Sequence, residues 1–484
     1  MNINFDIDVA IVVGFLILTL VVGLGHGQKV KTIEQYALGN RNFSTGALIA
    51  TTVASWIGGG TFFTSLSRTY SDGISFIIPV YGMVLSFLIM AFVFIPRMKD
   101  FLGKLSIAEA LGDIYGDKVR VIVAVAGTIG SAGAIAVQFK VFGGIVSYFL
   151  NFSAFEGILI SAFIVTTYSA FGGIKAVTFT DMLQTVTFGV ALPIVAIMIW
   201  NHAHHENISI IQTLSQPKFN ISSLLNIDNL EIFSILALFL YFSIPGMQPD
   251  IFQRMSMGRN TQQVKKVFIG SAFLIMIILF LVQWIPFLIF SITPDLDSNN
   301  LVSYIIDNYS YTGFKGVLIA GIAALAMSTA DSILNSSAVL FAHDFCCPLK
   351  LKPKNELLAS KLFSIILGVI GVVLALYTKD ILQIILDTSS FYMPIVTIPM
   401  MLTILGFRTT TRAVLVGMTA GFITIIIWNL LEIKIDPIAF AMLINLAFLL
   451  GSHYFLKENG GWISNKPKLN TKVAPICWTG LQQV

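Results

Sequence analysis

Charge is what this chain has least of. Only 11% of its 484 residues are Asp, Glu, Lys or Arg, while 56% are hydrophobic; an ordinary soluble domain carries about 25% charged residues. That shortage excludes a soluble globular protein. A spanning helix takes about 20 predominantly apolar residues, so the length leaves room for a dozen or so spans with short connections. The basic excess is slight, 29 Lys and Arg against 25 Asp and Glu, which makes nucleic-acid binding a poor reading. Cysteine is scarce too: Cys346, Cys347 and Cys477 form no disulfide framework or zinc spacing, and adjacent cysteines rarely bridge each other. A GxxxxGK[ST] run is missing, so no ATP site is indicated. The spans and loops offer no nucleophile with a base beside it, which speaks against an enzyme. The first apolar stretch, Val9 to Gly25, lacks both a basic lead and an A-x-A-like cleavage site and is read as a retained span.

What is present is a series of apolar runs. Hydropathy marks them near 8–26, 45–68, 74–96, 119–150, 153–172, 179–200, 231–253, 264–293, 311–342, 359–378, 381–406, 411–431 and 436–456, about thirteen transmembrane helices. The expectation is an all-α polytopic membrane protein, with a transmembrane domain over 1–456 and a short cytoplasmic tail over 457–484. Basic residues test the order of spans. With the N-terminus outside, the inner loops carry Lys29, Lys31 and Arg41; Arg97, Lys99, Lys104, Lys118 and Arg120; Lys175; Arg254, Arg259, Lys265 and Lys266; then Lys350 to Lys361, Arg408, Arg412 and the tail lysines. The outer side holds Arg68, Lys218, Lys315, Lys379 and Lys434. Such one-sidedness follows the positive-inside rule and places the C-terminus in the cytoplasm, as in a multi-pass plasma membrane protein. His202, His204 and His205 fall in a polar outer loop and are read as solvated rather than metal-binding.

Two spans carry their own interruption. Ala54-Ser55-Trp56-Ile57 runs into Gly58-Gly59-Gly60-Thr61, where each glycine lowers helix propensity by about 1 kcal/mol relative to alanine. Ile244-Pro245-Gly246-Met247-Gln248-Pro249-Asp250 sets two prolines mid-span, and each removes a backbone donor. Both helices are expected to unwind. Lipid cannot hydrogen-bond freed backbone, so such breaks line a cavity or meet a ligand. A pair of breaks in corresponding halves is the sequence mark of a secondary transporter built from inverted repeats; glycine-packed kinked helices are the plainer alternative.

Polarity gathers again in GIAALAMSTADSILNSSAVLFAHD, Gly321 to Asp344. Adjacent hydroxyls at Ser328 and Thr329, with carbonyls from an unwound helix, would suit sodium, a hard cation that must bind and leave. The same hydroxyls can bond back to their own helix, and composition alone does not choose. Asp331 shares a face with Ser328, and a mid-span carboxylate costs roughly 2.5–3.5 kcal/mol, which demands a partner or a purpose. Lys140, beside Gln138 in a long span, either pairs structurally or meets a substrate carboxylate. Asp181, at the start of a span, also fits an N-cap.

With these residues in view, the sequence resembles the sodium/solute symporter family, which includes bacterial proline, sialic acid and galactose carriers and the animal sodium/glucose cotransporters. The likeness covers about Asp6 to Phe455; its strongest words are SAFGGIKAVTFTDMLQ, Ser169 to Gln184, and MSTADSILNSS, Met327 to Ser337, with GNRNFS before the first core span. The resemblance implies a five-plus-five inverted repeat with broken first and sixth core helices, the repeats covering about 45–200 and 231–406. It implies sodium as the co-transported ion. It maps the main sodium site onto the carbonyls of Ala54, Ile57 and Leu325 and the hydroxyls of Ser328 and Thr329. Asp181 falls on an acid that assists a second sodium in some members. Asp331 stands where such members have serine, so Asp181, Asp331 and Ser332 are the candidates for a second cation or a proton. The acid of proline carriers is Trp56 here, and that of sugar carriers falls near Val80. Thr61 and Gln248 are the expected substrate contacts.

The expected activity is sodium-coupled symport of a small organic solute across the lipid bilayer, an amino acid such as proline or a small carboxylate, with no nucleic acid and no obligatory protein partner. The alternative is a solute-sensing membrane module related to symporter-fused histidine kinases, against which the short tail after Lys457 counts.

Overall fold

The computed structural model describes residues 6–27, 30–220, 231–351, 355–377, 381–433 and 436–462. The expected tail therefore lies outside the described residues beyond Trp462. The described chain is almost entirely helical; its strands are Phe407–Arg408 and Gly461–Trp462, a small antiparallel pair.

Helix α1, Ile7–Gly27, is anchored by Asp8, whose carboxylate accepts from the amides of Gly313 at 2.9 Å and Gly316 at 2.6 Å. The first break follows. Helix α2, Thr45–Trp56, capped by Ser44, ends at Ile57 with φ −90° and ψ 82°, and α3, Gly59–Asp72, leaves at 58° to it. Helix α4 spans Asp117–Leu150, and α5 is a run of 52 residues, Ala154–His205. At about 1.5 Å per residue α5 exceeds one bilayer crossing more than twofold. Gly173, with φ 63° and ψ −176°, breaks it in two; only glycine takes that backbone without strain.

The second break lies between α6, Glu231–Ser243, and α7, Pro249–Ser256, across five non-helical residues, Ile244 to Gln248. Helix α8, Phe314–Phe345, is the axis of the molecule: 94% of its apolar window is buried, and it packs against α5, α4, α1 and α2. Its seven hydroxyl, amide and acidic side chains from Ser328 to Ser337 are therefore inside the protein rather than in lipid.

Among the described residues nine helices are long and apolar enough to cross a membrane, or ten if the bent α2–α3 pair is one span. Length and composition alone thus do not reach the expected thirteen. The difference lies in the interrupted segments: α5 contains two expected spans, while α6 and Met393–Leu405 are shorter apolar helices.

Candidate functional site

The first break brings α2 against α8 at the predicted sodium ligands. A helix end leaves its last carbonyls without amide partners. Here the carbonyl of Ala54 receives the hydroxyls of both Ser328 and Thr329, each at 3.0 Å. Ser328 also reaches the carbonyl of Leu325, at 3.2 Å. The non-helical ψ of Ile57 turns its carbonyl off the helix axis. The two helices approach this closely because Gly58 has no side chain: a Cβ there would lie 2.6 Å from Thr329 Oγ1 and 3.1 Å from Gln138 Nε2. A Cβ on Gly59 would meet Val141 at 2.7 Å and Ala326 at 2.9 Å. Glycine therefore serves twice, breaking the helix and admitting its neighbour. Of the two readings of Ser328 and Thr329, Thr329 bonds across to the broken helix, and Ser328 divides between Ala54 and its own helix.

One turn away lies a second polar cluster. Thr51, also on α2, donates to Asp181 of α5. Asp181 pairs with Arg254 of α7 at 3.6 Å, and both side chains are fully buried. Arg254 donates further to Ser332, to Ser55 at 3.0 Å and to Gln253 at 3.2 Å. Asp331 accepts from Tyr168 at 2.9 Å, Thr180 at 3.4 Å and Ser332 at 3.4 Å. Asp181 and Asp331 are thus connected through Ser332 and a guanidinium belonging to the protein. Asp181 is not an N-cap: it lies within α5, eight residues past the Gly173 break.

Arg254 is the residue that sequence reasoning misplaced. A span ending at residue 253 puts it in an inner loop; α7 continues to Ser256, so Arg254 stands inside the protein at 1% exposure. The signal was available in Pro249-Asp250-Ile251-Phe252-Gln253-Arg254. Proline at the first position of a helix starts it rather than ends it, and the start at Pro249 carries the helix past residue 253. Of the other bases expected in that loop, Arg259 lies between the helices and Lys265 and Lys266 in the first turns of Thr261–Ile292.

Between the two breaks is a cavity of about 180 Å³. Thr61 and Gln248, the predicted substrate contacts, both line it, as do Trp56 and Val80. Thr329 and Ser55 also line it, so the sodium-site candidates and the second cluster adjoin this space. Residues of the second break, Ile244, Gly246 and Gln248, line it too, but two of the freed carbonyls are taken: Thr397 donates to that of Gly246 at 2.8 Å and Tyr392 to that of Met247 at 2.5 Å. Lys140 lines a different cavity, with Arg68, Tyr148 and Asn299. It does not line the central one.

Broken helices, hydroxyls on a released carbonyl and an adjoining solute-sized cavity define a membrane transporter of the secondary type. The sodium:solute symporter family model matches residues 36–421, and the chain belongs to that family, with sodium as the co-transported ion. It is 25% identical over 457 residues to the sodium/proline symporter of Staphylococcus aureus strain Newman, covering 88% of this chain and 86% of the relative. It is 21% identical over 373 residues to the sodium/sialic acid symporter NanT of Aliivibrio fischeri, covering 74% of each. Human high affinity choline transporter 1 is 24% identical over 450 residues, covering 86% of this chain and 75% of the relative. The fold agrees with that of a sodium-coupled sialic acid symporter solved in a substrate-bound outward-open state: TM-score 0.81 at 20% identity, covering 94% of this chain and 98% of the other. The named relatives are carriers, which favours transport over sensing.

Proposed function

We propose that this chain accumulates a small organic solute by coupling it to sodium entry, with the carbonyls of Ala54, Ile57 and Leu325 and the hydroxyls of Ser328 and Thr329 holding the ion. The observation that carries the reading is the convergence of Ser328 and Thr329 on the Ala54 carbonyl, at 3.0 Å each. A hydroxyl oxygen keeps lone pairs beside its proton, so both oxygens can turn from donating to Ala54 to coordinating a cation beside it. Such an ion ties α2 to α8 and favours one arrangement of the broken helices. Solute held at Thr61 and Gln248 then gains affinity from sodium, and sodium from solute, by the same factor. One charge falling through 100 mV releases about 2.3 kcal/mol, and a tenfold sodium gradient adds about 1.4 kcal/mol. One ion per cycle supports accumulation on the order of several hundredfold.

The second cluster holds two carboxylates, Asp181 and Asp331, and one guanidinium, Arg254. If both acids are ionised its net charge is negative, and burial disfavours that. A second sodium, or a proton on Asp331, balances it, with Ser332 between the groups. Replacing Asp331 by serine removes the imbalance: the sodium Hill coefficient or the pH dependence of uptake then falls, and if neither changes, Asp331 holds no coupling cation.

The N-terminus is placed outside and the C-terminus in the cytoplasm, in a plasma membrane of bacterial inner-membrane type. Among the two solute classes an amino acid such as proline suits the cavity better than a small carboxylate, because Asp250 is the charged side chain of its lining. The deciding experiment is uptake by purified protein in sealed liposomes under an inward sodium gradient, with Ser328→Ala/Thr329→Ala as control. Sodium-driven accumulation that the double variant loses supports the reading. Binding of sodium and solute without accumulation overturns it in favour of a sensor.

A further inference from the structure

The charge of the central cavity narrows the solute further. Asp250 lines that cavity, and among the described residues no Lys, Arg or His does. Asp250 is 4% exposed and appears in no salt bridge among the described residues. Arg254, one turn along α7, is engaged elsewhere: Asp181, Ser55, Ser332 and Gln253 take its guanidinium. The amides of Asp250 and Ile251 and the nearby charge of Arg254 act on Asp250 from its own helix; a buried carboxylate without a direct ion pair is still costly, and Asp250 also lines the central cavity.

Its position on α7 matters as much as its charge. In broken-helix carriers the positive end of a half-helix meets an anionic group of the solute. Here Asp250 stands in the first turn of α7, just after Pro249, and its charge cancels the field that would draw an anion. A solute carboxylate approaching α7 meets another carboxylate. Around Asp250 the walls are aromatic: Trp56, Phe76, Tyr241, Phe242 and Tyr392 line the same cavity. Aromatic faces attract cations, most strongly where water is excluded. A carboxylate with several ring faces and no basic side chain is the chemistry that recognises an organic ammonium group.

We propose that the solute bears a positively charged nitrogen, with Asp250 as its counter-ion and the rings of Trp56, Tyr241 and Tyr392 as its walls. The proposal rests on the symport reading and names its substrate class. The plain alternative is that Asp250 only complements the α7 dipole. Asp250→Asn separates the two, because asparagine keeps a side-chain acceptor at the start of the helix and removes the charge.

The test uses the full chain in proteoliposomes under an inward sodium gradient. Probes are choline, lysine and putrescine as cations, 3,3-dimethylbutan-1-ol as the neutral isostere of choline, proline as a zwitterion, and succinate and galactose. The expected result is sodium-dependent uptake of at least one cationic probe, or of proline, with an affinity that Asp250→Asn lowers at least tenfold. Choline, where carried, outcompetes its neutral isostere at least tenfold in the unsubstituted protein, a comparison that survives if Asp250→Asn fails to fold. Sodium continues to raise the thermal midpoint of the variant. Uptake confined to succinate or galactose, uptake indifferent to Asp250→Asn, or no uptake of any amine overturns the ammonium assignment. Failure of sodium itself to stabilise the unsubstituted protein is the distinct result that overturns the symport reading.

Discussion

The two broken helices solve the same problem in opposite ways. The glycine break between α2 and α3 is short, and the carbonyl it releases at Ala54 is met by the rotatable hydroxyls of Ser328 and Thr329. The proline break between α6 and α7 is longer, and its carbonyls at Gly246 and Met247 are closed by Thr397 and Tyr392. Met247 sits there with φ 50°, a conformation costly for a side chain other than glycine and held only where surroundings fix it. The first break leaves oxygen atoms that a small cation can share. The second has its freed carbonyls bonded within the protein and sets side chains, Gln248 and Asp250, on the central cavity. Unwinding by itself therefore does not make an ion site; what sets the first break apart is that two hydroxyls converge on one carbonyl, whereas each of the two carbonyls of the second receives a single hydroxyl.

Substitutions sharpen this contrast. The largest effect is expected at the base of the second half-helix: Arg254→Met leaves Asp181 buried without its partner, and breaking such a pair costs about 3–5 kcal/mol. Thermal unfolding in detergent should show the loss, and the added change Asp181→Asn should recover much of it. Gly58→Ala comes next, since its Cβ would lie 2.6 Å from Thr329 Oγ1 and forced overpacking costs about 1–3 kcal/mol. It should lower both the thermal midpoint and the affinity for sodium, read from sodium-dependent stabilisation. Ser328→Ala/Thr329→Ala should leave the fold standing and raise the sodium concentration for half-maximal uptake at least tenfold, about 1.4 kcal/mol. The smallest change is Tyr392→Phe, which removes one hydrogen bond worth about 1 kcal/mol. It should lower the thermal midpoint slightly and leave the sodium dependence where it was; a sodium-dependence shift equal to that of the hydroxyl pair would erase the distinction between the two breaks.

Much of this is legible in the sequence, and for definite reasons. The glycine run Gly58 to Gly60 and the paired prolines Pro245 and Pro249 weaken a helix through local backbone chemistry, so the two interruptions could be read from neighbouring residues. The hydroxyl run from Ser328 to Ser337 was too polar for lipid, so its burial followed. Boundaries were less legible. Ending the seventh span at residue 253 put Arg254 in a loop, although Pro249 starts a helix that passes it. Asp181 fitted an N-cap only because the sequence did not reveal that the backbone turns at Gly173 and is already helical again by Asp181.

The sequence alone determined that the chain lives in a bilayer, that two of its helices fail midway and that hydroxyls and acids lie inside, since each follows from composition or from residues next to one another. Only the tertiary structure decided which partner each of these groups finds. Arg254 reaches Asp181 across 73 positions and Ser328 reaches Ala54 across 274, and such pairings depend on how whole helices cross. Lys140 and Asp250 carry opposite charges within the apolar runs, yet packing set one on a separate cavity and the other on the central one. Side-chain chemistry fixes what a site can bind, but the direction in which each helix faces fixes which site it belongs to.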